Sequence, residues 1–82
     1  MNMKKKIKKE MEKAQERVKE YTKWARMSLR DMMKYLKEED FANAKIEAED
    51  ALERLVWICE ELEVLSRLRE LLDHKDKDKH ES

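Results

Sequence analysis

The sequence predicts an all-α fold: a long antiparallel helical hairpin that assembles as a four-helix bundle homodimer. Three observations predict it. First, the 82 residues include no glycine and no proline, and 49% are charged, a composition that favours helix over strands and tight turns. Second, charge is split along the chain. Residues 1–37 carry thirteen Lys/Arg against five Asp/Glu, and residues 38–73 carry four against twelve, so the halves balance at +8 and −8. Third, apolar residues recur at alternating spacings of three and four in both halves, which turns one stripe of a helix toward a partner.

The first helix is expected over about residues 4–37. Its seam holds Ile7, Met11, Ala14, Val18, Tyr21, Ala25, Ser28, Met32 and Tyr35, with only Ser28 out of pattern. The seam lapses at Lys37-Glu38-Glu39-Asp40, which is the expected turn, over about residues 38–40. Asp40 suits the N-cap of the next helix, because a carboxylate there accepts backbone N–H groups. The acidic cluster also suits the positive end of that helix dipole. The second helix is expected over about residues 41–72. Its seam holds Phe41, Ala44, Ala48, Ala51, Leu55, Ile58, Leu62, Leu65, Arg69 and Leu72, broken only by Arg69. Each helix would be about 50 Å long at 1.5 Å per residue. Residues 1–73 thus form one domain, and residues 74–82, with no apolar residue, are expected as a disordered charged tail.

A turn near residue 39 sets the register: facing residues should have numbers summing to about 78. Tyr21 then meets the stretch from Leu55 to Ile58, Ile7 meets Leu71 or Leu72, and Met32 and Tyr35 meet Ala44 and Ala48. The same register places Lys13, Arg17 and Lys19 near Glu60, Glu61 and Glu63. It places Lys23, Arg26 and Arg30 near Glu47, Asp50 and Glu53. Each exposed pair contributes only about 0–1 kcal/mol, but together they favour the pairing of opposite helices over like ones. The alternative architecture breaks the first helix near Tyr21-Thr22, with Thr22 as a cap, and folds a three-helix bundle. No glycine or proline enforces that break.

The seams do not account for all the apolar residues. Trp57, Val64, Leu68 and Leu71 form a second stripe, Leu52, Val56 and Cys59 lie on the other flank, and the first helix adds Trp24, Leu29, Met33 and Leu36. One hairpin cannot cover them, and each Leu, Val or Met left wet forgoes about 1.5–3 kcal/mol. A chain this short needs a staple. With a single cysteine and no zinc-spaced cluster, oligomerisation is the one left. A two-fold dimer of hairpins is the expected assembly, with Trp24, Trp57, Val64, Leu68 and Leu71 as its intermolecular contacts. A different helical protein docked on the same stripe is the alternative partner.

The expected role is therefore that of a non-enzymatic interaction module, with no catalytic residue, cofactor or metal. Arg69-Glu70-Leu71-Leu72-Asp73-His74 spells Arg-x4-His and resembles the motif of HEPN-domain ribonucleases, which implies an RNA-directed chemistry on the phosphate and 2′-hydroxyl. Against it, Arg69 reads as a rim residue and His74 as a helix-end cation. His74, Asp76, Asp78 and His80 offer donors to a divalent metal, with lysines between them in opposition. Cys59, among Val56, Ile58 and Leu62, reads as a buried, inert thiol. Lys4, Lys5, Lys6, Lys8 and Lys9 would attract nucleic acid or anionic lipid, but Glu10, Glu12 and Glu16 dilute them, and nucleic acid is not the expected partner. No stretch approaches the roughly 18 apolar residues that cross a bilayer, so no membrane is expected. No apolar core follows the basic start, so it is not a signal peptide. The free cysteine then places the chain in the cytoplasm. Abundant Lys, Glu and Arg suit a heat-adapted protein.

Residues 25–55 resemble a small archaeal family of helical proteins, domain of unknown function 357. Its members carry a helix with an Asp and an aromatic four residues on, then Gly-Asp-aromatic, then an alanine-rich helix. Asp31, Tyr35, Leu36, Asp40, Phe41, Asn43, Ala44, Ala51 and Leu55 fit that pattern. Glu39 stands where the family has Gly, and Asp50-Ala51-Leu52-Glu53 where it has a Tyr-Ala-His-Gly-like stretch. The same residues also resemble one tetratricopeptide hairpin, with Tyr35, Phe41, Ala44 and Ala51 as packing positions. Both resemblances imply a helical hairpin, the first of them archaeal, with no assigned activity.

Overall fold

The computed structural model describes residues 2–81, and side chains for residues 2–74. The fold is all-α: α1 (Met3–Lys37) and α2 (Phe41–Glu81) form a helical hairpin, with no strand among the described residues. The three-helix alternative does not form. α1 is unbroken through Tyr21-Thr22, and the Thr22 hydroxyl donates to the Val18 carbonyl at 2.7 Å within the helix rather than capping a new one.

Local chemistry sets each boundary. The Asn2 side chain caps α1 by accepting the Lys4 N–H at 3.0 Å. Lys34 and Lys37 lie in the last turn, where cations suit the helix dipole. Glu39 then takes a left-handed conformation, φ 58°. It closes α1 by two backbone bonds, Glu39 N–H to the Leu36 carbonyl at 3.1 Å and Asp40 N–H to the Tyr35 carbonyl at 2.8 Å. Asp40 starts α2. Its Oδ1 accepts the Asn43 N–H at 3.3 Å, its Oδ2 accepts from Asn43 Nδ2 at 2.7 Å, and its carbonyl accepts the Ala44 N–H at 3.0 Å. At the far end the backbone of α2 runs on to Glu81, through the segment expected as a tail. No glycine or proline stands in its way. The side chains of residues 75–82 lie outside those described.

The hairpin is a rod of 65 × 16 × 13 Å, too thin to enclose an interior. Its buried residues are Ile7, Ala14, Ala25, Ala44, Ala51 and Leu72, four of them alanines, and no large side chain among the described residues is fully enclosed. Small residues at these points let the two backbones approach closely. All nine seam residues of α1 are buried or half-buried. α2 differs from expectation. Ala44, Ala51, Ile58, Leu65 and Leu72 face inward, but the half-buried positions between them include Glu47, Arg54, Glu61 and Leu68. Phe41, Leu55 and Leu62, expected in the seam, are exposed. The helix is turned by about half of one residue's 100° step relative to the apolar pattern. The cause is that Arg54 and Glu61 find partners on α1, which makes them better seam residues than their side-chain class suggests.

Candidate interaction surface

The two sides of the rod differ in chemistry. One side is built from residues three positions past an inward one: Arg17 after Ala14, Trp24 after Tyr21, Arg54 after Ala51, Glu61 after Ile58. There Arg17 Nε donates to Glu61 Oε2 across the hairpin, with the Glu61 side chain 14% exposed. That hydrogen bond, the largest cause, raises the Arg17 pKa above its ordinary value, with the Glu61 charge adding to it and desolvation opposing. Tyr21 meets Trp57 edge-on with ring centres 5.4 Å apart, and lies 6.0 Å from Trp24. The Arg54 guanidinium sits 4.7 Å from the Trp57 ring centre and 5.5 Å from that of Trp24. Arg17 with Glu61, Tyr21 with Trp57, and Trp24 with Arg54 each have numbers summing to 78, the expected register.

The opposite side is largely apolar from the middle of the rod toward the turn, while Lys8, Gln15, Ser66 and Asp73 occupy it toward the other end. Leu29 and Leu36 each follow an inward residue of α1 by one, and Leu52 and Cys59 do the same on α2. A step of one turns both helices about 100° in the same right-handed sense. Because the helices run antiparallel, that step carries both sets to one side of the rod. Leu55 and Leu62 adjoin them on α2, with Val56 beyond, and Met33 adjoins them on α1. These are exposed residues: Leu52 is 62% accessible, Val56 50%, Leu55 and Leu62 49% each, and Met33 57%. Contiguous apolar surface of this kind is uncommon on a monomer.

The expected contact residues lie mainly on the first side. Trp57 and Leu68 are half-buried within the hairpin, and Trp24 and Trp57 are drawn together around Arg54. Val64 and Leu71 are exposed. Val64 edges a shallow hollow shared with Tyr21, Trp57, Glu60 and Glu61. Cys59, expected to be buried, is exposed. It lies on the leucine side because the seam passes through Arg54 and Glu61 instead of Leu55 and Leu62. The apolar pattern marks Leu29, Met33, Leu36, Leu52 and Val56 as uncovered, but sets Leu55 and Leu62 in the seam rather than beside them. The register carried the missing signal, since a sum of 78 sets Arg54 against Trp24 and Glu61 against Arg17.

The residues singled out for chemistry do not converge. Arg69 Nε lies 3.4 Å from Asp73 Oδ1, one turn along the same helix. His74, five residues on from Arg69, projects about 140° round the helix from it. Lys5, Lys6, Lys8 and Lys9 are exposed and span the helix circumference rather than one strip. Of the four residues weighed as metal donors and read as a solvated charge run, the side chains of Asp76, Asp78 and His80 lie outside those described. No helix is long and apolar enough to cross a membrane, among the described residues.

Compared with protein families, curated proteins and solved structures, the chain matches none. The resemblances given above rest on their quoted residues alone.

Proposed function

We propose that this chain is a helical assembly module with no catalytic role, which completes its core by self-association through its apolar surface. One observation carries the reading. Among the described residues the hairpin buries six, four of them alanine, while Leu52, Leu55, Val56 and Leu62 stay about half accessible or more along a single helix. Covering Leu or Val fully is worth about 1.5–3 kcal/mol each. Each of these four is already about half covered, so closing the rest adds about 1 kcal/mol apiece that a lone hairpin leaves unused. Small domains without disulfides or metals meet that need by associating.

The test is molar mass by light scattering with helicity by circular dichroism, on the native chain and on Leu62→Glu. A dimer is expected for the native chain. Leu62→Glu is expected to be monomeric at the same concentration, with its helical signal reduced. Leu68→Glu is a poorer probe, because Leu68 is half-buried inside the hairpin itself. A native chain that is monomeric at all concentrations refutes self-association. Such a monomer that also binds a hydrophobic dye points to a different helical protein as the partner of this surface.

A further inference from the structure

We infer that the leucine side is covered by a second copy lying with its turn at the same end, so that each α1 packs against the partner's α2. This rests on the self-association proposed above. Two hairpins meeting through this side satisfy a two-fold axis in two ways. An axis across the helices sets α1 against the partner's α1, with the turns at opposite ends. An axis along the helices sets α1 against the partner's α2, with both turns at one end. The second involves no shift along the rod. Residues facing each other between copies then have numbers summing close to the 78 found within the hairpin.

The outward charges decide between the two. Lys9, Lys19, Arg26 and Arg30 of α1 stand at the heights of Glu70, Glu60, Glu53 and Glu49 of α2, and all eight are exposed. Glu12, a rare acid of α1, stands at the height of Arg67, a rare base of α2. Met33 stands at the height of Ile46, both more than half accessible. In each of these pairs the numbers sum to 79. Within one hairpin these rows point away from the opposite helix. The ion pairs seen in them are local, Lys19 to Glu16 at 3.4 Å and Arg67 to Glu63 at 2.8 Å. They are a second acid-to-base match that a single hairpin leaves outward.

With the axis along the helices, these rows meet acid to base. With the axis across them, a helix of charge +8 lies on its own copy. Glu16 with Glu63 is a like pair in the favoured arrangement, and each is held by the cation on its own helix. The apolar heights agree as well. Leu29, Met33, Leu36, Leu52, Leu55 and Leu62 lie from the middle of the rod to the turn, so turns at one end stack leucines on leucines. Turns at opposite ends either lay much of that surface on the partner's charged half or, slid until the leucines match, leave the far half of each rod unpaired. Leu55 and Leu62 then point into the centre of the bundle, where the apolar pattern of α2 sets them.

Two measurements test the arrangement. In a Cys59→Ser background, Glu38→Cys carries a spin label at the turn, read by pulsed electron paramagnetic resonance with mass on the same sample. A dimer with labels about 10–30 Å apart is expected. Labels beyond about 35 Å, the separation that turns at opposite ends reach even when slid to stack their leucines, would overturn the arrangement and leave self-association standing. A monomer with no label–label coupling would overturn both. Independently, with Cys59 kept, Arg26→Glu is expected to weaken dimerisation about tenfold, and adding Glu53→Arg is expected to restore it. Failure of the second change to restore affinity rejects the pairing of α1 with the partner's α2.

Discussion

Arg54 on α2 places its guanidinium 4.7 Å from the ring centre of Trp57 on the same helix and 5.5 Å from that of Trp24 on α1. One cation thus joins rings from both helices. Its Nε is buried with no hydrogen-bond partner, so the rings and the packing of its stem hold it. Arg54→Ala removes both and is expected to cost about 1–3 kcal/mol. Arg54→Met keeps most of the stem and removes the orphaned N–H, and is expected to cost less than half as much. Urea unfolding at one fixed protein concentration compares the two, because association shifts apparent stability. Equal losses would mean that charge over the rings, not packing, is what Arg54 contributes.

Glu39 occupies a left-handed backbone position, φ 58°, at the end of α1. A side chain with a Cβ is disfavoured there, and glycine is the usual occupant. Glu39→Gly is expected to stabilise by about 0.5–1 kcal/mol, since relief of that strain outweighs the larger unfolded-state entropy of glycine. For a chain of this size the thermal midpoint should rise by roughly 2–8 °C. Glu39→Val should lower it. An unchanged or lower midpoint for Glu39→Gly would mean that the Glu39 side chain supports the turn in a way its backbone does not reveal.

Much of this fold was legible because it depends on period and charge. The α1 seam from Ile7 to Tyr35 needed only the apolar pattern, since every position but Ser28 holds a residue that gains by facing inward. The turn and its register followed from the lapse near residue 39. The seam of α2 was half legible. Ala44, Ala51, Ile58, Leu65 and Leu72 recur every seven residues and face inward in the pattern and in the structure. Between them the pattern favours Leu55 and Leu62, whereas the hairpin uses Arg54 and Glu61. Apolarity ranks each residue alone, but the position of Arg54 is set by two tryptophans and that of Glu61 by Arg17. The exposed leucine side follows from that exchange, whereas the apolar pattern alone makes Trp57, Val64, Leu68 and Leu71 the second stripe.

Asp40 serves the start of α2 through both carboxylate oxygens, one on the Asn43 N–H and one on the Asn43 side chain. Asp40→Ala removes both bonds and is expected to cost about 0.5–2 kcal/mol. Asp40→Asn keeps an acceptor for the backbone N–H and should cost less. Asn43→Ala removes the side-chain bond alone, and its cost should be the smallest of the three. Thermal unfolding followed by helicity ranks them, and a loss for Asn43→Ala equal to that for Asp40→Ala would place the stabilisation in the side-chain pair instead of the backbone cap.

Ala14 is fully buried and Ala51 is 3% exposed, while Leu55, one turn along from Ala51, is 49% exposed. Size is therefore distributed in an unusual way, with the smallest side chains between the helices and the larger ones outside. Ala14→Leu and Ala51→Leu are expected to push the helices apart and to cost about 1–3 kcal/mol or more each, despite the added apolar area. The loss should appear at every protein concentration, because it lies within the hairpin. Leu55→Ala is expected to behave differently. Its contacts inside one hairpin are few, so the cost should be small in dilute solution and grow with concentration as the associated form is populated. Unfolding midpoints measured across a hundredfold range of concentration separate the two behaviours. A Leu55→Ala penalty that does not vary with concentration would mean that this leucine serves its own hairpin.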